Sequence, residues 1–458
     1  MIFPFFNRSK EIQNLDRIWA NRGQEPKFGV VYGKRRCGKS TLLRKLQRPG
    51  DVYFLGVEGE KSLQLRLLAQ ELDRKLPAFA AVEYRDYNQL FEVLVARINE
   101  PFTLTIDEFP YLVKSDSSLP SILQRYLDLR QTGQFNLILC GSSQQMMHDA
   151  VLSATAPLYG RADEIIKVEP LLAGWLREAF PDLDPVDLIE EYSIWGGIPR
   201  YWEIRSKFQS LREAIINTIL EPTGLLHDEP RRLLMDDLSH LPQPISLLSA
   251  IASGVHKPSE LGSRLNKSMS DLYRPLNRLI SLGYILKERS FGDKSKGSKR
   301  VLYKINDPFL DFYYRFVLTN ASALTLGNAE NIWQKINGEM DKYVSKWWEK
   351  LCTRAIVKGI REKNIETVGR WWGTTIDKKQ AEIDILAMCE GGERIVAVEC
   401  KWSALKSIES IRKDLILKVQ RLPFYQGQNI KAYVACKSFS GQKTDKVITP
   451  AEVLEILR

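Results

Sequence analysis

The chain has 458 residues, 44% of them hydrophobic and 27% charged, and a formal net charge of +10. That length predicts two to four domains of about 150 residues with an ordinary globular composition. Six cysteines without a Cys-x-x-Cys pair, and four histidines without metal-ligand spacing, argue against a disulfide framework and a zinc site. No apolar run approaches about 18 residues, and the apolar start Met1–Phe6 is too short for a secretory signal. The expectation is a cytoplasmic protein with reduced thiols and no membrane partner. The first 250 residues carry a slight acidic excess, whereas residues 251–320 hold 13 Lys+Arg against 6 Asp+Glu. A polyanion partner is therefore expected to dock on the second half.

In chain order, short β-rich runs alternate with helix-length segments: Phe28–Tyr32, Val52–Val57, Thr103–Asp107, Phe135–Gly141 and Ile165–Val168. This spacing predicts a largely parallel sheet covered on both faces. Between the first run and a helix from Thr41 lies Gly33-Lys-Arg-Arg-Cys-Gly38-Lys39-Ser40, which fits G-x-x-x-x-G-K-[ST]. Phosphates need inward-facing backbone N–H groups and a helix N-terminus, so the expected contacts are Gly33, Arg36, Cys37, Gly38, Lys39, Ser40 and Thr41. Lys39 would neutralise the β/γ-phosphates of ATP and Ser40 would ligate Mg²⁺. The third run ends in Asp107-Glu108. Asp107 would hold Mg²⁺ through water, and Glu108 would take the proton of the attacking water. The run ending Cys140-Gly141-Ser142-Ser143 would bring Ser142 or Ser143 near the γ-phosphate, or use it as a loop cap.

The region resembles the archaeal-type ATPases of the AAA+/STAND-like P-loop group. The resemblance is carried by Phe6-Asn7-Arg8, Tyr32–Ser40, Ile106–Phe109, Cys140–Ser143, Pro157-Leu-Tyr-Gly-Arg161 and Tyr192-Ser-Ile-Trp-Gly196-Gly197-Ile-Pro199. It implies that Arg161 reads the γ-phosphate, in cis or from a neighbouring copy in a homo-oligomer; a structural salt bridge is the other reading. It also implies a helical lid after the sheet.

Farther along, Lys257–Gly262 opens a short helix and Ser268–Leu282 a second. In the second, Leu272, Leu276, Leu279 and Ile280 form one stripe, and Lys267, Ser270, Tyr273, Arg274, Asn277 and Arg278 fill the rest. Pro275 is expected to bend it. After Gly283 come β-like residues, a polar tip Phe291–Arg300 and Val301–Ile305. Helix, helix and basic-tipped hairpin predict a winged helix that binds DNA, or one that packs against other domains.

The last segment holds Ala381–Cys389 and Arg394–Lys401 around Glu390-Gly391-Gly392-Glu393, a hairpin signal. Pairing Glu390 with Glu393 sets Asp384 opposite Glu399 and Glu382 opposite Lys401, about 5 Å apart on shared faces. Asp384 and Glu399 would ligate Mg²⁺, and Lys401 would position water and stabilise phosphate charge. The pattern resembles the PD-(D/E)XK nuclease core. That resemblance implies a further acid on a preceding helix, at Glu349, and leaves room for an inactive relic.

The expected fold class is α/β: a P-loop ATPase core over 1–170, a helical lid over 171–235, a winged helix over 236–318 and a restriction-endonuclease-like domain over 319–458. The expected function is an ATPase coupled to DNA binding and metal-dependent cleavage. The alternatives are a nucleotide-controlled DNA-binding regulator and a STAND-like protein-interaction switch.

Overall fold

The computed structural model describes residues 3–20, 25–128, 135–238, 240–293, 300–442 and 444–458. Among these residues the strands form three sheets. The first is parallel throughout: β1 (Phe28–Tyr32), β2 (Val52–Leu55), β3 (Thr103–Asp107), β4 (Asn136–Gly141) and β5 (Glu164–Lys167), in the order β2-β3-β4-β1-β5. The central strands β3 and β4 are buried at every residue, as their unbroken apolar and β-branched runs require. The edge strands β2 and β5 keep exposed positions. This order sets the C-terminal end of β3, with Asp107, across β4 from the phosphate loop that follows β1.

Residues 5–170 and 232–239 make one compact unit; residues 171–231 and 240–458 make the other. The expected boundary at 235 between lid and winged helix does not hold. Asp236 pairs with Arg35 at 3.2 Å and Asp237 accepts the Gln144 N–H at 2.8 Å, so this stretch belongs with the parallel sheet.

In the second unit, the helices Pro185–Trp195 and Pro199–Arg205 are locked by the buried pair Glu191–Arg205, 2.6 Å apart. The helices Pro242–Ala252, Pro258–Leu265 and Met269–Ser281 lead into the antiparallel hairpin β6 (Ile285–Arg289) and β7 (Val301–Ile305). Helix Met269–Ser281 is capped by Ser268 and buries Leu272, Leu276 and Leu279 on one side. It runs on through Pro275; the buried leucine stripe outweighs the one backbone bond that proline removes.

The long helix Ala329–Val357 precedes the third sheet, of β8 (Ile365–Thr374), β9 (Gln380–Cys389), β10 (Arg394–Leu405), β11 (Asn429–Phe439) and β12 (Val447–Ile448), ordered β12-β11-β10-β9-β8. Strands β8, β9 and β10 are antiparallel, and β10, β11 and β12 are parallel. Helix Glu409–Gln420 makes the crossover that the parallel β10–β11 pair demands. The β9–β10 register is the expected one, from Cys389 opposite Arg394 to Ile385 opposite Val398. The connection is longer than a two-residue Gly-Gly turn, because Glu390, Gly391 and Gly392 all take positive φ and no 390–393 rung forms. Among the described residues no helix is long and apolar enough to cross a membrane.

Candidate functional site

The residues expected to carry chemistry gather in two clusters, one in each unit. The first surrounds the loop after β1. Gly33 has φ +146, and a Cβ there would lie 2.4 Å from the Val168 carbonyl oxygen, so only glycine fits; Gly38, at φ +91, opens helix Lys39–Leu46. The loop therefore ends on a helix N-terminus, where N–H groups face an anion. Lys39 is 5% exposed, and its ammonium donates to the Gly33 carbonyl at 2.9 Å and the Lys34 carbonyl at 3.1 Å. Those bonds hold the lysine over the loop it would serve. Arg8, buried at the start of the chain, donates to the Cys37 carbonyl at 3.0 Å and pairs with Glu11 at 2.9 Å, bracing the loop from behind.

Asp107 is fully buried at the end of β3. Its Oδ1 accepts the Glu108 N–H at 3.0 Å, and its Oδ2 accepts the Tyr53 hydroxyl from the neighbouring strand. Burial and the adjacent Asp107 carboxylate push the Tyr53 phenol well above its ordinary range, so it stays a donor. Glu108 turns out of the strand with φ 54. Its Oε2 accepts the Ser142 hydroxyl at 2.9 Å and the Ser142 N–H at 3.3 Å, while Ser143 caps the helix Gln144–Met147. Of the two serines, Ser142 holds the carboxylate and Ser143 is the cap. Ser40 and Asp107 are oxygen donors of the kind Mg²⁺ takes alongside nucleotide phosphates, so the residues fit ATP and its ion. Arg161 is placed otherwise. Its guanidinium makes a two-point pair with Asp128, at 2.6 and 2.9 Å, and donates to the Pro157 and Tyr159 carbonyls. The structural salt bridge is the reading this geometry favours.

The second cluster stands where β9 and β10 separate. Beyond Ile385–Val398, Asp384 Oδ2 takes the place of a backbone acceptor and receives the Cys400 N–H at 2.8 Å. Burial first, then the Glu399 carboxylate, raises the Asp384 pKa. Glu399 is 9% exposed and is held by two ammoniums, Lys401 at 2.8 Å and Lys418 of helix Glu409–Gln420 at 3.3 Å. Glu349, on helix Ala329–Val357, is pushed up to about 7 by burial and by Asp384. Glu349 and Asp384 line one cavity of about 280 Å³ together with Glu288, Lys304 and Arg370. The expected pairing of Glu382 with Lys401 is not made. Glu382 sits opposite Trp372 of β8 and binds Arg370, because the β9–β10 ladder has already ended.

Among the described residues no group of three or more His, Cys, Asp or Glu side chains is arranged to cage a metal. Two carboxylates are a sufficient protein contribution for Mg²⁺, which keeps most of its water. Asp384 and Glu399 fit that role, with the Lys401 and Lys418 ammoniums now satisfying Glu399.

Helix Met269–Ser281 leaves Ser270, Tyr273 and Arg274 exposed, beside exposed Lys267. Of the hairpin tip, Lys294, Lys296 and Lys299 lie outside the described residues. The turn-side end of the hairpin is engaged: Phe291 N–H donates to the Arg370 carbonyl at 2.8 Å, and Ser290 Oγ bonds the Trp372 carbonyl at 2.9 Å and the Trp372 N–H at 3.0 Å.

Sequence reasoning missed Arg8, Tyr53, Asp236, Asp237, Lys418 and Arg370. Only Arg8 had a local signal, standing in the Phe6-Asn7-Arg8 run.

Residues 5–203 match the model of an ATPase domain predominantly from Archaea, and residues 313–412 match a model described as "Archaea bacterial proteins of unknown function". The parallel sheet and the phosphate loop both lie within the residues that the archaeal ATPase-domain model matches. The chain is similar to an uncharacterized protein of Methanocaldococcus jannaschii, 28% identical over 459 residues, covering 98% of this chain and 99% of the relative. It is also similar to the solved ORC2 protein of Aeropyrum pernix in its ADPNP-ADP complexes, with TM-score 0.45, 15% identity, and 74% of this chain covered against 97% of that one. A third similarity is to a STAND protein with a tetratricopeptide repeat sensor from Pyrococcus horikoshii, with TM-score 0.33, 14% identity, and 78% against 50% covered.

Proposed function

We propose that this chain is an ATP-hydrolysing, DNA-binding protein whose C-terminal domain is a metal-dependent phosphodiesterase. For the ATPase half, support comes from Lys39 at the loop and Asp107-Glu108 across β4 from it. The observation that carries the C-terminal half is the convergence of Asp384, Glu399 and Lys401 where two strands part, with Glu349 facing Asp384 from a helix. A bound Mg²⁺ would supply Lewis acidity for a phosphodiester oxygen. The residues do the rest. Asp384 and Glu399 offer oxygen donors, while Lys401 and Lys418 bring positive charge to where the transition state gathers negative charge. Helix Met269–Ser281 and its hairpin are read as a winged helix, with the exposed Lys267, Ser270, Tyr273 and Arg274 as its DNA-facing side chains. The second reading, a regulator without cleavage, is favoured by one feature: both Glu399 oxygens are already paired with lysines.

The test is cleavage of labelled single- and double-stranded DNA in Mg²⁺ or Mn²⁺, with and without ATP, by the full chain and by Asp384→Ala. Cleavage lost in Asp384→Ala with ATP turnover intact supports the phosphodiesterase. No cleavage by the parent chain on any substrate selects the regulator.

A further inference from the structure

The winged-helix hairpin has two faces, and both are committed at its base. One face buries Ile285, Tyr303 and Ile305. The other turns Leu286, Glu288 and Lys304 toward the cavity that also holds Glu349 and Asp384. At its far end the hairpin is fastened to the edge strand β8 by the Phe291–Arg370 and Ser290–Trp372 backbone and hydroxyl bonds. The Phe291 ring packs on Phe424, with ring centroids 5.9 Å apart. One ion pair continues the seam, Arg370 to Glu288 at 3.9 Å, and Glu288 also pairs with Lys304 within the hairpin at 2.8 Å. The hairpin is thus a wall of the carboxylate cavity.

The size of the cavity restricts what can enter. At about 280 Å³, it lies just below the ~300 Å³ at which pockets for drug-sized ligands start. That is room for one nucleotide. A duplex holds each phosphate on a stacked rod and cannot place one nucleotide behind a wall without unpairing it, whereas a single strand can thread it in. The lining suits that guest. Lys304, Lys350 and Arg370 in the lining bring positive charge beside the Glu349 and Asp384 carboxylates, and the buried Trp347 ring carries the Lys350 ammonium 4.8 Å from its centroid.

We propose that the cavity beside Asp384 receives one unpaired nucleotide of a single strand, and that hairpin β6–β7 keeps duplex out. This rests on the phosphodiesterase reading of the same site and names its substrate class.

The experiment is photo-crosslinking of the full chain to a short single-stranded oligonucleotide carrying 4-thiothymidine, in Ca²⁺, with the adducts mapped by mass spectrometry. Adducts are expected within residues 346–354 or 369–372. Unlabelled single strand should suppress them at least about tenfold more effectively than a covalently closed dumbbell duplex of the same sequence. Equal suppression by the dumbbell, adducts elsewhere, or no adduct at all would overturn the proposal. A double variant, Ser290→Ala with Phe291→Glu, should unfasten the wall and let the dumbbell compete; if the folded variant keeps the parent's preference, the hairpin is not the barrier. Should the variant fail to fold, the parent-chain comparison decides alone. Replacing Ca²⁺ with Mn²⁺ separates the two readings. Adducts without cleavage retain the single-strand assignment and reject the phosphodiesterase, while cleavage of single strand and dumbbell at equal rates does the reverse.

Discussion

Glu108→Gln isolates one chemical property of the ATPase site. The carboxylate sits in a left-handed turn at the end of β3, with Oε2 accepting the Ser142 hydroxyl at 2.9 Å and the Ser142 N–H at 3.3 Å. A glutamine has the same shape, and its amide oxygen can accept both bonds, so the turn and the neighbouring phosphate loop are expected to keep their structure. Only the capacity to take a proton from water is lost. Positioned general bases contribute about 10²–10⁴ in rate, or roughly 2.7–5.4 kcal/mol of barrier at 1.36 kcal/mol per decade. Phosphate release at saturating ATP should fall by that factor. The affinity for a fluorescent ATP analogue should change by less than about threefold, since no phosphate contact is removed. A residual turnover within about fivefold of the parent chain would refute the assignment of Glu108 as base.

Lys39→Ala should abolish nucleotide binding or turnover, because it removes the ammonium proposed to reach the β/γ-phosphates; tight ATP binding by this variant in calorimetry would contradict the site. Glu191→Ala should cost about 3–5 kcal/mol in urea unfolding, since Arg205, 3% exposed, is left buried and uncompensated. A loss below about 1 kcal/mol would show that the pair is dispensable. Reversing charge at Lys294, Lys296, Lys299 and Arg300 should weaken DNA binding and flatten the slope of log K against log salt by about 0.9 per lost phosphate contact; an unchanged slope would favour the protein-interaction reading.

What the sequence made legible was local. The phosphate loop is one contiguous stretch whose glycines, lysine and following helix are neighbours in the chain, and β1, β3 and β7 have the bounds read from their apolar runs. The β9–β10 register was legible because a hairpin's pairing follows from its turn, even though the turn took a longer form than Gly-Gly. Whatever depended on tertiary meetings was out of reach. Tyr53 meets Asp107 across 54 positions, Arg35 meets Asp236 across 201, and Lys418 reaches Glu399 only because the crossover helix lies over β10. Nothing in the composition of residues 232–239 distinguishes a stretch that returns to the first sheet from one that continues the lid. For Arg161 the motif left two readings open, and Asp128, outside the motif, supplies the two-point partner that the salt-bridge reading needs.

The commitment of the hairpin base bears on how DNA would be held. A DNA-binding hairpin whose two strands are buried on one side and face a cavity on the other would meet phosphates through its exposed charges. In β6 those charges are Lys287 and Arg289, both exposed. Under the DNA-binding proposal, base edges would be read by helix Met269–Ser281, where Tyr273 is 62% exposed beside Arg274. The surfaces divide by role. Phosphate contacts on the tip would set affinity and salt dependence, the helix would set sequence preference, and the hairpin base would set which strand reaches the carboxylates. Because Lys304 and Glu288 sit on the same two strands as Lys287 and Arg289, DNA that pulls on the outer charges also pulls on the wall of the cavity. In the proposed function, binding on one side of this hairpin and access on the other would therefore be mechanically joined.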